Sequence, residues 1–232
     1  MTSISCRQVA GEQRGGQAMS KTARWFAASG VVAAAAGMVL AATPAIAAPA
    51  PDPVAGSVAA VFPPPLAPVA KLDTARYLGT WYQLAAVPQP FNLNCARDTT
   101  ATYGLIDQSD ISVDNKCVTY TGEASGIEGN ARVNDPVSGA ALHVSFPGVP
   151  FQDGKDGPSN YLVTYIADDY SWALVGDPMR VSGFVLSRTP SVSDAQWREI
   201  RAIAEGRGYN SCLILTSPTT GGREGVQPLC TL

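Results

Sequence analysis

Few residues of this sequence could do chemistry, and its only histidine limits what they can do. His143 stands between Leu142 and Val144 in an apolar run, so strand alternation is expected to point its ring toward solvent. A serine or cysteine triad needs a histidine beside a nucleophile, with a third group that orients it. No nucleophile motif accompanies His143. We therefore expect a protein that is not an enzyme.

Five cysteines are the next candidates, and their spacing favours disulfides over a redox or metal site. Cys6 precedes a predicted export signal, and the cysteines that remain form no Cys-x-x-Cys motif. An even number in an exported chain indicates two disulfides. Cys95 and Cys117 would flank one hairpin, which favours the pairs Cys95–Cys117 and Cys212–Cys230. The alternative joins Cys95 to a C-terminal cysteine. A cysteine-based enzyme would need a thiol left unpaired.

The acidic residues lie at turns and do not form a cluster typical of a metal site. Asp168 and Asp169 stand between two strand-like runs, where aspartate stabilises turns. Asp153 and Asp156 could hold Ca²⁺ only weakly, because their spacing lacks an EF-hand pattern. The sequence therefore predicts no metal site and no cofactor.

The beginning of the chain has the parts of a secretory signal peptide. Met19, the expected true start, precedes a basic segment with Lys21 and Arg24, and residues 25–42 are uncharged and rich in alanine. Residues 44–48 supply the small residues of a cleavage site. A membrane anchor is the alternative, because about 18 apolar residues can span a bilayer. No cysteine lies near the cleavage site, so a lipid anchor is not expected. We predict export, with no membrane span after cleavage.

Composition divides the chain into four parts. Residues 1–47 are the upstream extension and signal peptide, and residues 48–71 form a Pro/Ala-rich linker that is expected to be extended. One domain covers residues 72–217. A Gly/Pro-rich tail of residues 218–232 is expected to be loose apart from Cys230. The exported part is acidic and has no basic run, which argues against binding to nucleic acid.

The domain has the pattern of a strand meander. Its short runs of alternating or β-branched residues are separated by turn residues, which predicts an all-β barrel or sandwich. A first strand follows Gly79. One helix begins after Ser193, presents Trp197 and Ile200 on one face, and ends at Gly206. A ninth short strand is predicted at residues 212–216. The other seven strands are predicted at residues 98–106, 111–121, 126–134, 140–146, 160–167, 170–176 and 181–187.

Three motifs occur in a fixed order along this meander. They are Gly79-x-Trp81-Tyr82, Asp169-Tyr170, and the run from Phe184 to Arg188. Together with the late helix and the ninth strand they resemble the lipocalins, in particular the bacterial and apolipoprotein-D-like branch. The resemblance covers residues 72–216. It implies an eight-stranded antiparallel up-and-down β-barrel with one C-terminal α-helix and a short ninth strand.

The resemblance also implies a role for the motif residues. Trp81 would plug one end of the barrel, and the Arg188 guanidinium would stack on its ring in a cation–π contact. Both residues are expected to be structural and not to touch a ligand. The complete signature comprises Gly79, Trp81, Tyr82, Asp169, Tyr170 and Arg188.

Register with the family places one set of residues toward the cavity. This set combines apolar and aromatic side chains with a few hydroxyl and amide groups. It suits a slim hydrophobic molecule with one polar head, such as a fatty acid or a lysophospholipid. The expected ligand-binding residues are Tyr103, Asn115, Val144, Phe146, Tyr161, Phe184 and Leu186. Phe151, in the loop of residues 147–159, is expected at the rim, where it could cap the entrance.

The resemblance implies a secreted or envelope protein that binds, stores or transports a small hydrophobic ligand. Association with envelope lipids is a further expectation, and the Ala/Pro/Gly-rich composition favours a bacterial source. The main alternative is an inhibitory or adhesion module that acts through its loops while side chains fill the barrel. A lipocalin-like enzyme is the third possibility.

Overall fold

The computed structural model describes residues 63–232, and in this part of the chain one antiparallel sheet dominates. The predicted signal peptide and the first part of the predicted linker lie outside the described residues. The helices are α1 (Thr74–Tyr77) and α2 (Asp194–Gly206). The strands are β1 (Gly79–Ala86), β2 (Cys95–Leu105), β3 (Asp110–Thr119), β4 (Ala124–Val133), β5 (Ala141–Ser145), β6 (Tyr161–Ile166), β7 (Trp172–Gly176), β8 (Gly183–Ser187) and β9 (Leu215–Thr216).

The strands form a closed up-and-down barrel. Each of β2 to β7 pairs with the next strand in sequence, β8 pairs with β1, and β1 pairs with β2 to complete the circle. Strand β9 adds to β1 outside this circle. The predicted eight-stranded antiparallel barrel, with one C-terminal helix and a short ninth strand, is therefore confirmed.

Successive connections alternate between the two ends of such a barrel. We call the end with the β1–β2, β3–β4, β5–β6 and β7–β8 loops the open end, and the opposite end the closed end. Helix α1 lies at the closed end, because it directly precedes the start of β1. Its first turn is capped by Asp73, whose Oδ1 accepts a hydrogen bond from the Arg76 backbone N–H at 3.2 Å.

Two apolar layers separate the inside of the barrel from the outside. One fills the interior around Trp81, Val113 and Val175. The other lies between the outer face of the sheet and α2, where Trp197 and Ile200 are buried beside Leu174. Ser193 caps α2, as predicted, because its Oγ accepts a hydrogen bond from the Gln196 backbone N–H at 3.2 Å. The predicted apolar stripe of α2 therefore packs on the sheet.

Both segments that flank the barrel are attached more firmly than their composition indicates. Leu66 lies in the predicted linker, yet its side chain is buried and its N–H donates to Pro178 O at 2.8 Å. The tail is not loose, which corrects the expectation. Leu229 is fully buried and donates to Ile214 O at 2.8 Å, and Arg201 Nη1 donates to Leu232 O at 2.6 Å.

Two disulfides hold the chain at its open end and its C terminus. Cys95 is bonded to Cys117 across the β2–β3 hairpin, and Cys212 is bonded to Cys230. This is the pairing that the hairpin argument favours, and the alternative bond from Cys95 to a C-terminal cysteine is not formed. Within residues 63–232, no helix has both the length and the apolar character needed to cross a bilayer.

Candidate functional site

The floor of the barrel is built from the first and last strands of the circle. Trp81 is fully buried, and its Nε1–H donates to Tyr77 O at 2.8 Å. The Arg188 guanidinium carbon lies 3.7 Å from the centroid of the Trp81 ring. Arg188 also donates to the backbone carbonyls of Thr80, Arg76 and Leu78 at 2.7–2.8 Å. Arg188 therefore bonds both to the floor tryptophan and to the turn that leads into β1.

The other motif residues support the same end of the barrel. Gly79 has φ +93°, a left-handed conformation that strains a residue with a Cβ. Tyr170 has φ +62° in the β6–β7 turn, and its hydroxyl accepts a hydrogen bond from Asp73 N–H at 2.8 Å. Asp169 Oδ1 accepts from Ser171 N–H at 2.9 Å in the same turn. Tyr82 faces outward and packs against the layer beneath α2.

The residues expected to bind a ligand lie on the inner face of the barrel. Tyr103 and Leu186 belong to the interior apolar cluster, and four others pack against it: Val144, Phe146, Tyr161 and Phe184. Asn115 stands opposite Ala101, which also packs in the interior, and two residues after buried Val113. The structure thus brings all seven to one cavity wall. Whether they touch a ligand stays a prediction.

Three tyrosine hydroxyls meet above the floor. Tyr161 Oη lies 2.7 Å from Tyr77 Oη and 2.9 Å from Tyr103 Oη. The Tyr77 and Tyr103 rings stack with centroids 5.5 Å apart, and Tyr161 meets Tyr103 edge-on at 6.2 Å. We call Tyr77, Tyr103 and Tyr161 the tyrosine cluster. It places a small polar group inside a wall that is otherwise mostly apolar.

Burial keeps these phenols neutral. Loss of water raises the pKa of Tyr103 to about 12. It also raises the pKa of Tyr77 and of Tyr161 well above that of an ordinary tyrosine, and the neighbouring Tyr103 hydroxyl adds to the effect in both cases. A neutral cluster offers O–H donors and lone pairs without placing a negative charge in the cavity.

The upper part of the cavity remains open to solvent. Asn115, Val144, Phe146, Tyr161 and Phe184 all face inward, yet each keeps part of its surface accessible. The deeper residues Tyr103 and Leu186 are buried. Asn115 Oδ1 is shielded from water and accepts no hydrogen bond within the described part of the chain. The interior therefore has a filled floor, accessible walls and one polar acceptor without a partner.

Two residues of this cavity were not among the predicted ligand-binding residues. Tyr77 sits on the one-turn helix α1, where strand alternation gives no information about direction. Phe91 lies in the β1–β2 loop, and its ring centroid is 6.4 Å from that of Phe184 at the mouth. The aromatic type of Phe91, directly after Pro90, was the available signal for it.

A glycine makes room for one of the cavity aromatics. A Cβ on Gly129 of β4 would lie 2.6 Å from Phe146 Cδ1 and 2.4 Å from Ser145 O. Both distances are shorter than real Cβ contacts. The absence of a side chain at position 129 therefore lets the Phe146 ring lie flat against the inner wall.

His143 lies on the outer face of β5, as alternation predicts, but the β5–β6 loop covers it. Its Nδ1 is 2.8 Å from Pro158 O, and its Nε2 is 3.0 Å from Gly154 O. Asp156 of the same loop forms an ion pair with Arg132, and Asp153 accepts a hydrogen bond from Gly148 N–H. The carboxylates considered for Ca²⁺ are thus engaged in holding the loop.

Phe151 lies at the rim of the barrel, as expected, but it does not cap the entrance. Its side chain is fully exposed to solvent.

Two hollows on the described surface lie outside the barrel. One of about 430 Å³ lies beneath the closed end against Leu78 and Ile111, and one of about 200 Å³ lies beside Trp197. None of the seven predicted ligand-binding residues lines either hollow.

Sequence and structure comparisons agree with this architecture. Residues 72–219 match the family described as a lipocalin-like domain. Temperature-induced lipocalin-1 of Arabidopsis thaliana is 34% identical over 148 residues, which cover 63% of this chain and 79% of the relative. The outer membrane lipoprotein Blc of Citrobacter freundii is 39% identical over 142 residues, which cover 61% of this chain and 76% of the relative.

Solved structures support the fold alone. Insecticyanin from the tobacco hornworm Manduca sexta superposes with a TM-score of 0.53 at 15% identity, over 67% of this chain and 85% of that one. The cockroach allergen Per a 4 gives 0.50 at 16% identity, over 66% and 92% of the two chains. With a family match across most of the described residues, two curated relatives above 30% identity and a closed eight-stranded barrel, this chain belongs to the lipocalin family.

Proposed function

We propose that this protein binds one slim hydrophobic molecule with a single oxygen-bearing head inside its barrel. Fatty acids, lysophospholipids and similar lipids have this form. The observation that carries the proposal is the open upper cavity, where five inward-facing residues keep accessible surface above a closed floor. Apolar walls with a few converging polar groups are typical of small-molecule sites. Members of this family are in general binding and transport proteins, which supports the same conclusion.

The number of hydrogen bonds within the tyrosine cluster supports a ligand that carries a hydrogen-bond acceptor. Three hydroxyls carry three protons, and the two contacts among them use only two. Within residues 63–232 these hydroxyls make no other hydrogen bond. One O–H is left to donate, and a buried donor without a partner costs free energy. A ligand carbonyl, hydroxyl or carboxyl oxygen at this depth would accept it.

The proposal includes export, to an extracellular or envelope location. Two disulfides persist in oxidising compartments and are rare in the cytosol, so Cys95–Cys117 and Cys212–Cys230 favour export. One relative, Blc, is named an outer membrane lipoprotein, and that name describes the location of Blc itself. For this chain we propose that it is a transport or scavenging protein without a lipid anchor.

A catalytic role is not part of the proposal. Both ring nitrogens of His143 are engaged with backbone carbonyls on the outside of the barrel, away from the cavity. The four cysteines of the described chain are paired. Neither set of groups is placed to act on a molecule inside the barrel.

Ligand extraction tests the proposal. Protein purified after export is treated with organic solvent, and the extract is identified by mass spectrometry. The emptied protein is then titrated with a fluorescent fatty acid whose absorption overlaps tryptophan emission. We expect one bound molecule per barrel and quenching of Trp81. If no lipid is extracted and no lipophile binds, the barrel is filled by its own side chains and the loops become the better candidate site.

A further inference from the structure

Exposed apolar side chains are more numerous on the four loops at the open end than on the rest of the barrel surface. All four carry large apolar side chains, and each of these is more than half exposed. The six residues are Phe91, Leu93, Tyr120, Phe151, Met179 and Val181, which we call the open-end rim. They come from four separate loops and therefore surround the mouth of the cavity. Exposed apolar groups in such an arrangement mark an interaction site.

The β5–β6 loop is built to keep its apolar residue in water. Phe151 is fully exposed and has φ +65°, an unfavourable conformation for a bulky side chain. The loop around it is nevertheless well bonded, because Phe146 N–H donates to Gln152 O at 2.6 Å and the His143 ring lies within hydrogen-bond distance of the Gly154 and Pro158 carbonyls. Strain held in place by surrounding bonds is a feature of functional positions.

In two of the four rim loops, charged groups are absent or hydrogen-bonded. The β1–β2 loop, residues 87–94, contains no charged residue. In the β7–β8 loop, Asp177 accepts hydrogen bonds from Ser182, and Arg180 Nε donates to Arg207 O at 2.7 Å. The rim loops contain no cluster of basic residues. The tips therefore offer apolar contact and no strong electrostatic attraction.

The chain also enters the barrel beside this rim. Leu66 N–H bonds to Pro178 O, and Pro178 belongs to the β7–β8 loop next to Met179. The described part of the chain therefore begins on the open-end side of the barrel.

We propose that the open-end rim docks the mouth of the cavity on a lipid bilayer. The proposal rests on the proposed function, because a docked mouth lets a lipid pass between bilayer and cavity without crossing water. Six apolar tips on separate loops can each enter a deformable lipid surface. A protein partner seated on the same ring would cover the opening through which the ligand must pass.

Vesicle flotation tests the docking surface with a matched control. The rim variant carries Leu93→Ser, Phe151→Ser and Met179→Ser, and none of these residues contributes to the cavity wall. The control carries Leu105→Ser, Ile106→Ser and Val137→Ser, which are apolar residues at the closed end that are also more than half exposed. We expect the unmodified protein and the control to float with phosphatidylcholine vesicles. The rim variant should lose at least tenfold in bound fraction, and added salt should not weaken binding of the unmodified protein.

A fluorescence measurement on single variants tests docking without relying on the triple variant to fold. Phe151→Trp should shift its emission to shorter wavelength when vesicles are added, and Val137→Trp should not. The proposal is overturned if the rim variant floats as well as the unmodified protein, or if both triple variants lose binding equally. It is also overturned if the unmodified protein is a dimer and the rim substitutions only convert it to a monomer. The rim would then bind a second copy of the chain.

The same samples separate the two proposals. A monomeric fluorescent fatty acid is titrated without vesicles into all three proteins. Equal affinity in all three, with flotation lost only in the rim variant, supports both proposals. Rim-dependent flotation without any fatty-acid binding would support docking and contradict the cavity function. Fatty-acid binding without flotation would support the cavity function and contradict docking.

Discussion

The Arg188 guanidinium stacks on the Trp81 indole at 3.7 Å and joins the last strand of the barrel to the first. Three of its hydrogen bonds end on the carbonyls of Arg76, Leu78 and Thr80, which lie in the turn before β1 and at the start of that strand. The most recognisable residues of the sequence thus close the barrel. The side chains placed to meet a ligand lie higher in the cavity.

Replacing this arginine should destabilise the fold without removing the site. Arg188→Ala loses the cation–π contact and three charge-assisted hydrogen bonds, so we expect the free energy of unfolding to fall by about 2–4 kcal/mol. Arg188→Lys should recover only part of this, because an ammonium lacks the planar fork. Arg198→Ala, on the exposed face of α2, is the control. An unchanged melting temperature for Arg188→Ala would contradict the role assigned to this residue.

The tyrosine cluster should distinguish ligands by their head group. Tyr161→Phe removes the hydroxyl that contacts both partners, so we expect weaker binding of a fatty acid or a fatty alcohol, by about tenfold for one lost hydrogen bond. Binding of a hydrocarbon of the same length without a head group should change little. Tyr165→Phe, on the outer face of β6, serves as the control. Equal loss of affinity for both ligands would show that Tyr161 only shapes the cavity.

An ion pair at the closed end should make stability depend on acidity. The hydrogen-bonded Arg132 guanidinium, together with its charge, holds the pKa of the Asp110 carboxyl below its usual range. A carboxyl with a lowered pKa in the folded state stabilises the fold above its unfolded-state pKa, and this contribution is lost as the pH falls through the folded-state value. Asp110→Asn should therefore flatten the acid side of the stability curve, measured by urea unfolding between pH about 2 and 6. A curve as steep as that of the unmodified protein would contradict this assignment.

The disulfides should be complete and should stabilise the exported protein. Denatured protein is expected to show no free thiol before reduction and four after it. The double variant Cys95→Ser, Cys117→Ser should unfold with about 3 kcal/mol less free energy, because a cross-link over 22 residues restricts the unfolded chain. A free thiol in the unreduced sample would contradict complete pairing and would make cysteine-based catalysis a candidate function.

Register with the lipocalin family predicted the wall of the site, and it holds along each strand because side chains alternate strictly between two faces. Tyr103, Asn115 and Val144 follow this rule, and each lies on the inner face. The rule fails where the register shifts. The alternating pattern placed the start of β2 at Asp98, yet the strand begins at Cys95, because Asp98 has φ +57° and the pairing is irregular around it.

Features that depend on shape could not be predicted from composition. Proline and glycine indicate an irregular backbone, but not what it packs against. Leu66 and Leu229 are buried because the outer surface of the barrel and α2 offer grooves for them. The tyrosine cluster is a further example, since Tyr77 reaches Tyr161 from a one-turn helix that lies far away in sequence. Such contacts follow from the closed barrel and not from any local pattern.

The central claim is that the inside of the barrel binds a lipid, and two adjacent residues of β2 allow a direct test. Ala101 faces inward opposite Asn115, whereas Thr102 faces outward, where its hydroxyl lies 3.0 Å from that of Thr80. The measurement is the affinity of a fluorescent fatty acid for Ala101→Phe and for Thr102→Phe, with the melting temperature of each as a check on folding. We predict that Ala101→Phe loses most of the binding and that Thr102→Phe retains it. Equal affinity in the two variants would contradict a binding site inside the barrel.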